Sequence, residues 1–460
     1  MKNTQKITKN NIKLFKIDNE TTLFFHADTL QIYPIDNKEL LHFLETFTNS
    51  SKTELSKHFS EKDVKMYKKF ILDTINNAPK SVTWQFDNGN LQTSYETIVL
   101  PIAAKCNLAC PYCFATSDGG YNFSDFNEES IKKIANFVFQ KRKDKSATSI
   151  IFFGGEPLLN FECIKFTVEH FKQNFSELSV GYSLTTNGTV LTDEMIDFFE
   201  KTGFAILVSL DGFDNEFNVR KYKNGKSSVQ DVLNNIEKLR KINNVHLELR
   251  ATLINTNAYI CETYDFFEKL QIPFSIAFAY TSENKSHNLS VYNEDNLQII
   301  KQSFEKLTEY YKNKFINNES IFDKKISTYF NTLRYRQKQN LPCGAGHGYM
   351  TIMSDGDIFT CPHFMNDKKY CVGNIDNPDI DASKYSSVLI SEISECQNCW
   401  AKYICNGHCV AQKISMGQSN QMTMPENECN LLKITFEHYL KLFYFAKKYT
   451  PEIFKIQKLL

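Results

Sequence analysis

The sequence has no excess of charge of either sign, because 53 Lys and Arg residues balance 53 Asp and Glu residues. A protein that binds nucleic acid through its overall field has a basic excess, so that class is not indicated. No stretch approaches the roughly 18 uninterrupted apolar residues that predict a membrane-spanning helix. The N-terminal residues MKNTQKITKNN contain no apolar segment, so no secretory signal is predicted. Internal repeats and low-complexity tracts are also lacking.

Cysteine, in contrast, is abundant, with 13 residues in a chain of 460. A chain of this length without a secretory signal is not expected to be a disulfide scaffold. Clustered cysteines in an intracellular chain are more typical of metal binding, which predicts a cytoplasmic protein that works under reducing conditions. The length and the apolar content of 42% allow several domains with large cores.

The most informative cysteines are Cys106, Cys110 and Cys113, spaced Cys-x3-Cys-x2-Cys with no fourth cysteine nearby. Thiolates are the usual ligands of iron–sulfur clusters, and three of them leave one iron of a [4Fe–4S] cube open to another ligand. A structural zinc site is the alternative, but such sites normally show paired Cys-x2-Cys knuckles and four ligands. The segment strongly resembles the signature of the radical S-adenosylmethionine (SAM) enzymes.

The resemblance implies a mechanism and two cofactors, SAM and the [4Fe–4S] cluster. In that family the open iron binds the amino and carboxylate groups of SAM, and one electron cleaves the sulfonium. The resulting 5′-deoxyadenosyl radical removes a hydrogen atom from an unactivated carbon. The cofactors carry the chemistry, while the protein orients the reactants and excludes competing reactions. A flavodoxin- or ferredoxin-type protein is the expected electron donor.

Polar residues at the ends of the following strands are candidates for SAM binding. Gly154, Gly155, Glu156 and Pro157 follow an apolar strand and resemble the family's GGEP motif, which contacts the SAM amino group. Paired glycines let a backbone approach a ligand closely, although an ordinary strand-end turn is the alternative. Thr186 and Asn187 follow the next strand, at the same edge of the predicted sheet.

The resemblance also implies that Ser209 and Arg220 bind the ribose and the carboxylate of SAM. A guanidinium suits a carboxylate because it can donate two parallel hydrogen bonds. The polar loop around Arg220 also allows the alternative of a surface salt bridge. Tyr112 either packs near the adenine or has a plain packing role. The sequence identifies no catalytic residue.

A second array of cysteines lies near the C-terminus. Cys343 is followed by twelve residues, Gly356, four residues and Cys361, and the array continues as Cys396-x2-Cys399-x5-Cys405-x3-Cys409 and ends at Cys429. This pattern resembles the SPASM domain, which carries two auxiliary [4Fe–4S] clusters, so three clusters are expected in all. A zinc ribbon would explain residues 396–409 but not Cys343, Cys361 and Cys429.

The SPASM resemblance divides these cysteines into two ligand sets. It implies that Cys343, Cys361 and Cys409 hold the first auxiliary cluster, and that Cys396, Cys399, Cys405 and Cys429 hold the second. The first set is then one ligand short. Cys371 is a candidate for the missing ligand, and His347 and His363 are less usual ones. We favour an open iron that binds a substrate thiolate, because Cys371 lies outside the pattern.

Alternating strand and helix patterns predict an α/β fold with four regions. Residues 1–95 form a small α+β, winged-helix-like unit of three strands and two helices (37–47 and 62–75). It is compatible with the peptide-recognition (RRE-like) module fused to maturases, or with a generic cap. Six strand–helix units in residues 96–285 predict the partial (β/α)6 barrel of radical SAM enzymes. Residues 286–340 form a helical connector, and residues 341–460 a SPASM domain with a closing helix.

Three functions are compatible with these features. The first is a radical SAM maturase that abstracts a hydrogen atom from a ribosomally synthesised precursor peptide with a leader and installs a crosslink. A Cys thioether is the first choice of bond, and a carbon–carbon or carbon–oxygen link the second. An anaerobic sulfatase-maturing enzyme is the alternative, but such enzymes usually have an Asp directly after the second SPASM cysteine, where this chain has Pro362. The third, a zinc-binding scaffold, leaves the GGEP motif without a purpose.

Overall fold

The N-terminal region is a three-stranded antiparallel sheet followed by three helices. A computed structural model describes residues 8–76, 82–83, 94–116, 120–142, 147–214, 216–255, 259–279, 294–377 and 379–454 of the chain. The first elements are β1 (Ile12–Lys16), β2 (Thr22–His26), β3 (Gln31–Ile35), α1 (Lys38–Asn49), α2 (Lys52–His58) and α3 (Glu61–Asn76). The strands lie in the order β1-β2-β3. Helix α2 was not predicted, although the capping box between Ser51 and Glu54 marks its start.

The two faces of this N-terminal sheet are buried against different parts of the chain. Phe24, on one face, belongs to a core with Phe43 and Ile71 of the helices. Phe15 and Phe25, on the other, contact the ring of Trp400, with ring centroids 5.4 and 6.1 Å apart. An ion pair of 2.7 Å between Lys402 and Asp28 joins the same two regions. The N-terminal sheet is therefore packed directly on the cysteine-rich C-terminal region.

The central part of the chain alternates strands with helices. Its elements are β4 (Val82–Thr83), β5 (Thr97–Ala103), α4 (Glu128–Arg142), β6 (Ala147–Gly154), α5 (Phe161–Asn174), β7 (Ser179–Thr186), α6 (Asp193–Thr202), β8 (Phe204–Ser209), α7 (Val229–Leu239), β9 (Val245–Leu253), α8 (Ile260–Leu270) and β10 (Phe274–Phe278). Strands β5 to β10 are all parallel and lie side by side in chain order. The predicted α/β fold with six strand–helix units is confirmed.

The remaining elements extend this sheet and close the core. They are α9 (Glu294–Ile316), α10 (Lys324–Tyr335), β11 (Gln337–Lys338), β12 (Tyr349–Ile352), β13 (Asp357–Phe359), β14 (Gly373–Asn374), α11 (Ser394–Gln397), α12 (Lys402–Cys405), α13 (Val410–Ser415) and α14 (Glu426–Tyr449). Strand β12 pairs in parallel with β5, and β13 and β14 add antiparallel strands, so the sheet has nine strands. The sequence had not indicated this extension. No helix in the described ranges is long and apolar enough to span a membrane.

Amphipathic helices cover the outer face of the parallel strands. In α7 the buried residues Val232, Ile236 and Leu239 recur at three- and four-residue intervals, which places them on one helix face. Alternate strand residues such as Leu249 and Ala251 are fully buried on the opposing surface of the sheet. The helices therefore lie on one face, and the loops at the carboxyl ends of the strands frame the other, where α/β barrels place their chemistry.

Candidate active site

The loop that contains Cys106, Cys110 and Cys113 begins at the carboxyl end of β5. Asp125 anchors its start by accepting a hydrogen bond from the backbone N–H of Ala104 (2.7 Å) and pairing with Lys105 (3.0 Å). The segment after β8 pairs with its middle, where the N–H of Ala109 donates to the Lys221 carbonyl at 2.9 Å. The cysteine loop is therefore fixed between the ends of two strands that are distant in sequence.

The three thiols lie within electrostatic reach of one another. Burial is the main reason why the pKa of the Cys110 thiol is raised to about 12; Arg220 opposes the rise, and Asp211, Cys113 and Cys106 contribute to it. Burial also raises the pKa of Cys106, whose sulfur accepts hydrogen bonds from the N–H of Leu108 (3.4 Å) and from Asn187 Nδ2 (3.6 Å). Binding to a metal centre relieves the unfavourable ionisation of such thiols, because coordination deprotonates them.

The arrangement of the thiols fits a cluster better than a single ion. Within the described residues, no three Cys, His, Asp or Glu side chains are grouped closely enough to hold one metal ion. The thiolates of a [4Fe–4S] cube each bind a different iron and are therefore farther apart than the ligands of a zinc ion. Neighbouring but unclustered thiols thus fit the cube as a donor set.

Gly154 and Gly155 allow a close backbone contact, but with the protein itself. An added Cβ at Gly154 would lie 2.6 Å from the Ala103 carbonyl oxygen, and one at Gly155 would lie 2.2 Å from the Lys105 oxygen. The N–H of Gly155 donates to Ala103 O (2.7 Å), and the N–H of Glu156 donates to Lys105 O (2.8 Å). The sequence had indicated approach to a ligand, whereas these glycines fit the end of β6 against the start of the cysteine loop.

Glu156 joins the ends of β6 and β7. Its fully buried carboxylate accepts hydrogen bonds from Thr186 Oγ1 (2.7 Å), Asn187 N–H (2.7 Å) and Leu158 N–H (3.0 Å). Burial raises its pKa to about 7 despite these three hydrogen bonds. Pro157 begins a 3-10 helix directly behind it. A carboxylate offers about four acceptor positions, so Glu156 keeps capacity for one more donor, such as an ammonium group.

Arg220 forms a buried ion pair rather than the surface salt bridge considered as an alternative. Its Nε donates to Asp211 Oδ1 at 2.9 Å, and the Asp211 side chain is fully buried. Tyr112 completes the group, because its hydroxyl donates to Asp211 Oδ2 at 2.6 Å and its ring lies 5.2 Å from the guanidinium carbon. Burial would lower the pKa of Arg220, but Asp211, Tyr112 and Cys110 raise it above its ordinary value.

This geometry assigns Tyr112 a polar role that the sequence did not predict, and it adds Asp211 to the site. Asp211 bonds to Nε of Arg220, and among the described residues no hydrogen bond engages the two Nη groups. The sequence signal that could have identified Asp211 is its position two residues after the end of β8. Ser209, the last residue of β8, is buried at the same edge of the sheet.

The cysteines of the first C-terminal set surround the β12–β13 hairpin. Gly356 has φ +87° in the turn of this hairpin, where a Cβ would contact Ile375 at 2.8 Å, which explains the glycine in the pattern. Burial raises the pKa of the Cys361 thiol, and Cys409 and Cys343 raise it further. Cys343, Cys361 and Cys409 are therefore neighbours, although they are far apart in sequence.

The cysteines of the second set are also neighbours. Burial is the main reason why the pKa of the Cys405 thiol is raised to about 12, and the nearby thiols Cys429, Cys396 and Cys399 contribute to the rise. A sharp turn separates the two sets, because Asn406, Gly407 and His408 all have positive φ between Cys405 and Cys409. Lys413 lies between them, is buried, and donates from Nζ to the Asn420 carbonyl (2.7 Å).

The candidates for a missing fourth ligand lie in different environments. The Cys371 thiol donates to the Gly373 carbonyl at 3.2 Å. His347 is buried, with Nε2 2.7 Å from the Ser387 carbonyl oxygen and Nδ1 without a partner among the described atoms. His363 stacks on Phe114 of the cysteine loop, with centroids 3.7 Å apart.

Comparison with known proteins agrees with this geometry. The family model of the Radical SAM superfamily matches residues 100–267. The chain is 25% identical to the radical SAM cyclopropyl synthase TigE of Paramaledivibacter caminithermalis, over 75% of this chain and 74% of that protein. It is 25% identical to a serine-type anaerobic sulfatase-maturating enzyme of Bacteroides thetaiotaomicron, over 69% and 83% of the two chains.

The fold is also similar to that of solved structures. A structure of anSMEcpe with bound AdoMet has a TM-score of 0.63 and 20% sequence identity, and covers 78% of this chain and 97% of that one. The cysteine-rich C-terminal region is consistent with a SPASM-type domain. A [4Fe–4S] cluster and SAM are the cofactors that the superfamily implies. The cysteine loop at the end of β5 lies within residues 100–267, so this chain contains a radical SAM domain.

Proposed function

We propose that this enzyme is a peptide maturase that abstracts a hydrogen atom from a ribosomally synthesised precursor peptide and installs a crosslink, with a Cys thioether as the first choice of bond. The proposal rests on one observation: the fold contains three groups of thiols, and the thiols within each group are neighbours. The groups are the loop after β5 and the two C-terminal sets. Relatives whose names describe cyclopropyl synthesis and sulfatase maturation support the same class of reaction.

We assign the following binding roles to residues of this chain. Cys106, Cys110 and Cys113 would hold the SAM-binding cluster, Glu156 would accept from the SAM amino group, and Arg220 would donate its free Nη groups to the SAM carboxylate. When bound, SAM and the iron–sulfur clusters would supply the hydrogen-abstracting radical and an acceptor for the electron released as the C–S bond forms. The thioether replaces one C–H and one S–H bond. One hydrogen leaves with the SAM fragment, and the other leaves as a proton and an electron.

The two C-terminal sets are proposed to hold two auxiliary [4Fe–4S] clusters. Cys343, Cys361 and Cys409 supply three ligands to the first, and Cys396, Cys399, Cys405 and Cys429 complete the second. An open iron on the first would bind a substrate Cys as a thiolate. The position of Cys371 outside the SPASM pattern, and the hydrogen bond of its thiol to the Gly373 carbonyl, support the open site over Cys371 ligation.

The region of residues 1–95 is proposed to recognise the precursor's leader. Both β1 and β3 are edges of the three-stranded sheet, and an edge can accept an added peptide strand. Met66 and Phe70 are exposed at i and i+4 on α3 and supply an apolar surface beside that sheet. Removing the whole region would also remove the contacts of Phe15 and Phe25 with Trp400. The double substitution Met66→Ser/Phe70→Ser is therefore a cleaner test. It should weaken binding of a precursor peptide encoded beside the gene without reducing SAM cleavage.

Iron analysis tests the core of the proposal. Reconstituted protein should hold about 12 irons as three four-iron clusters, and replacing Cys106, Cys110 and Cys113 with Ala should remove about four of them and abolish deoxyadenosine formation. Cys163→Ala is the matched control, because Cys163 is buried in α5 away from other cysteines. Zinc in place of iron and sulfide, or deoxyadenosine formation by the triple variant, would contradict the proposal.

Anaerobic sulfatase maturation is the second candidate, and the similarity to sulfatase-maturating enzymes favours it. Pro362, which is buried and follows Cys361 at the start of a 3-10 helix, cannot act as a base there. A sulfatase-derived peptide should therefore stimulate no formylglycine formation, as measured by mass spectrometry and aldehyde labelling. Thiol loss without aldehyde formation on a precursor peptide would identify the thioether.

A further inference from the structure

Arg250 projects from β9 into the open side of the parallel sheet. It is paired in register with Ser209 at the end of β8. Its neighbours Leu249 and Ala251 are fully buried on the face that the helices cover, and strand residues alternate between faces. Arg250 therefore lies on the opposite face, on the same side as Ser209.

Arg250 is exposed on the open side of the parallel sheet. The pKa of its guanidinium is lowered, mainly by burial and also by the nearby Arg220, although Glu248 and Tyr349 act in the opposite direction. Arg250 therefore lies close to Arg220 on the side of the sheet that the helices leave open.

The carboxylates nearest to Arg250 are paired with other residues. Glu248, two residues earlier on the same strand, raises the pKa of Arg250 but is in an ion pair with Lys324. Asp211 is in an ion pair with Arg220. Within the described ranges, Arg250 has no ion pair and its side chain has no hydrogen bond. Its guanidinium can therefore pair with an anion that enters the open side of the sheet.

The position of this cation is between the two chemically important regions. Arg220 of the proposed SAM site is close enough to affect its pKa. On the other side, Tyr349 interacts electrostatically with Arg250 and with the Cys361 and Cys343 thiols. Arg250 is therefore close to Arg220 of the proposed SAM site and, through Tyr349, to the first auxiliary set.

We propose that Arg250 is a substrate-binding residue that takes the carboxylate of an Asp or Glu next to the modified residue of the peptide. A guanidinium donates two parallel hydrogen bonds to a carboxylate, so it fixes the orientation of that side chain as well as its charge. The inference rests on the proposed function, because it requires a peptide in the space between SAM and the auxiliary cysteines. It adds selectivity for an acidic neighbour, which the crosslinking reaction itself does not demand.

Two synthetic peptides test the inference on reconstituted, SAM-loaded enzyme: acetyl-Ala-Asp-Cys-Asp-Ala-amide and its counterpart with Asn in place of both Asp residues. Calorimetric titration of the wild type should give about tenfold tighter binding of the Asp peptide. In Arg250→Gln the two peptides should bind equally, and Arg250→Lys should retain part of the preference. Arg240→Gln is the matched control, since Arg240 pairs with Glu237 on the outer surface, and it should behave as the wild type.

SAM affinity, measured separately on each variant, identifies the source of the bound carboxylate. An unchanged SAM dissociation constant in Arg250→Gln, with loss of the Asp preference, supports the inference. A rise of tenfold or more would instead place the SAM carboxylate on Arg250 and overturn it. Equal binding of both peptides by the wild type, or no binding of either, would overturn it as well while leaving SAM cleavage, and thus the proposed reaction class, intact. A wild type that binds no SAM would contradict the proposed function itself.

Discussion

Replacing Asp211 with Asn should destabilise the protein strongly, because it leaves the guanidinium of Arg220 buried without a counter-ion. The side chain of Arg220 is 13% exposed and that of Asp211 is fully buried. Asn keeps the shape and an oxygen that can accept from Arg220 Nε and from the Thr252 N–H, which now bond to Asp211 Oδ1 at 2.9 Å each. The substitution therefore removes the charge and, at Oδ2, the acceptor of the Tyr112 hydroxyl's hydrogen bond.

The size of the effect follows from the geometry of the pair. At 2.9 Å the Coulomb energy is about 6 kcal/mol for an effective dielectric constant of about 20. Losing one partner of a buried pair destabilises proteins by about 3 to 5 kcal/mol. The exposed pair of Arg240 and Glu237, at 2.8 Å, provides a control, and Glu237→Gln should change stability by less than about 1 kcal/mol.

Urea unfolding of the iron-free proteins, followed by circular dichroism, measures both effects. A double-mutant cycle makes the test sharper. Arg220→Met removes the uncompensated charge, so the double variant Asp211→Asn/Arg220→Met should be more stable than Asp211→Asn alone. The reasoning is refuted if Asp211→Asn is no more damaging than Glu237→Gln, or if the second substitution adds to the loss.

Three further predictions concern the site. Gly155→Ala should displace the cysteine loop and reduce the iron content by about four per chain, because the added Cβ would lie 2.2 Å from Lys105 O. Gly120→Ala is the control and should keep its iron, because no atom lies within 4 Å of the added Cβ. SAM binding should tighten as the pH rises through about 7, because burial raises the pKa of Glu156 to that value and the ionised carboxylate is the better acceptor for the N–H groups of the SAM amine. Equilibrium binding to Glu156→Gln should be weaker and independent of pH. Cys371→Ala should leave the iron count and the auxiliary-cluster EPR signal unchanged, and a damaged cluster would identify Cys371 as its fourth ligand.

The elements of the parallel sheet were largely predictable because their signals are local. All six parallel strands, β5 to β10, lie within residues 96–285, where the sequence predicted six strand–helix units. Apolar runs and amphipathic periodicity depend only on neighbouring residues. The short strands β12 to β14 were missed for the opposite reason, since they have two to four residues each and are stabilised by pairing with β5 and with each other.

Sequence alone determined the cysteine spacing, the strand–helix rhythm and hence the resemblance to a radical SAM enzyme. The tertiary structure decided which side chains meet. It paired Arg220 with Asp211 beneath Cys110, placed Arg250 between the proposed SAM site and the C-terminal thiols, and packed Trp400 on the N-terminal sheet. Ion pairs, desolvation and ring contacts depend on distances between residues far apart in the chain, and folding alone sets those distances.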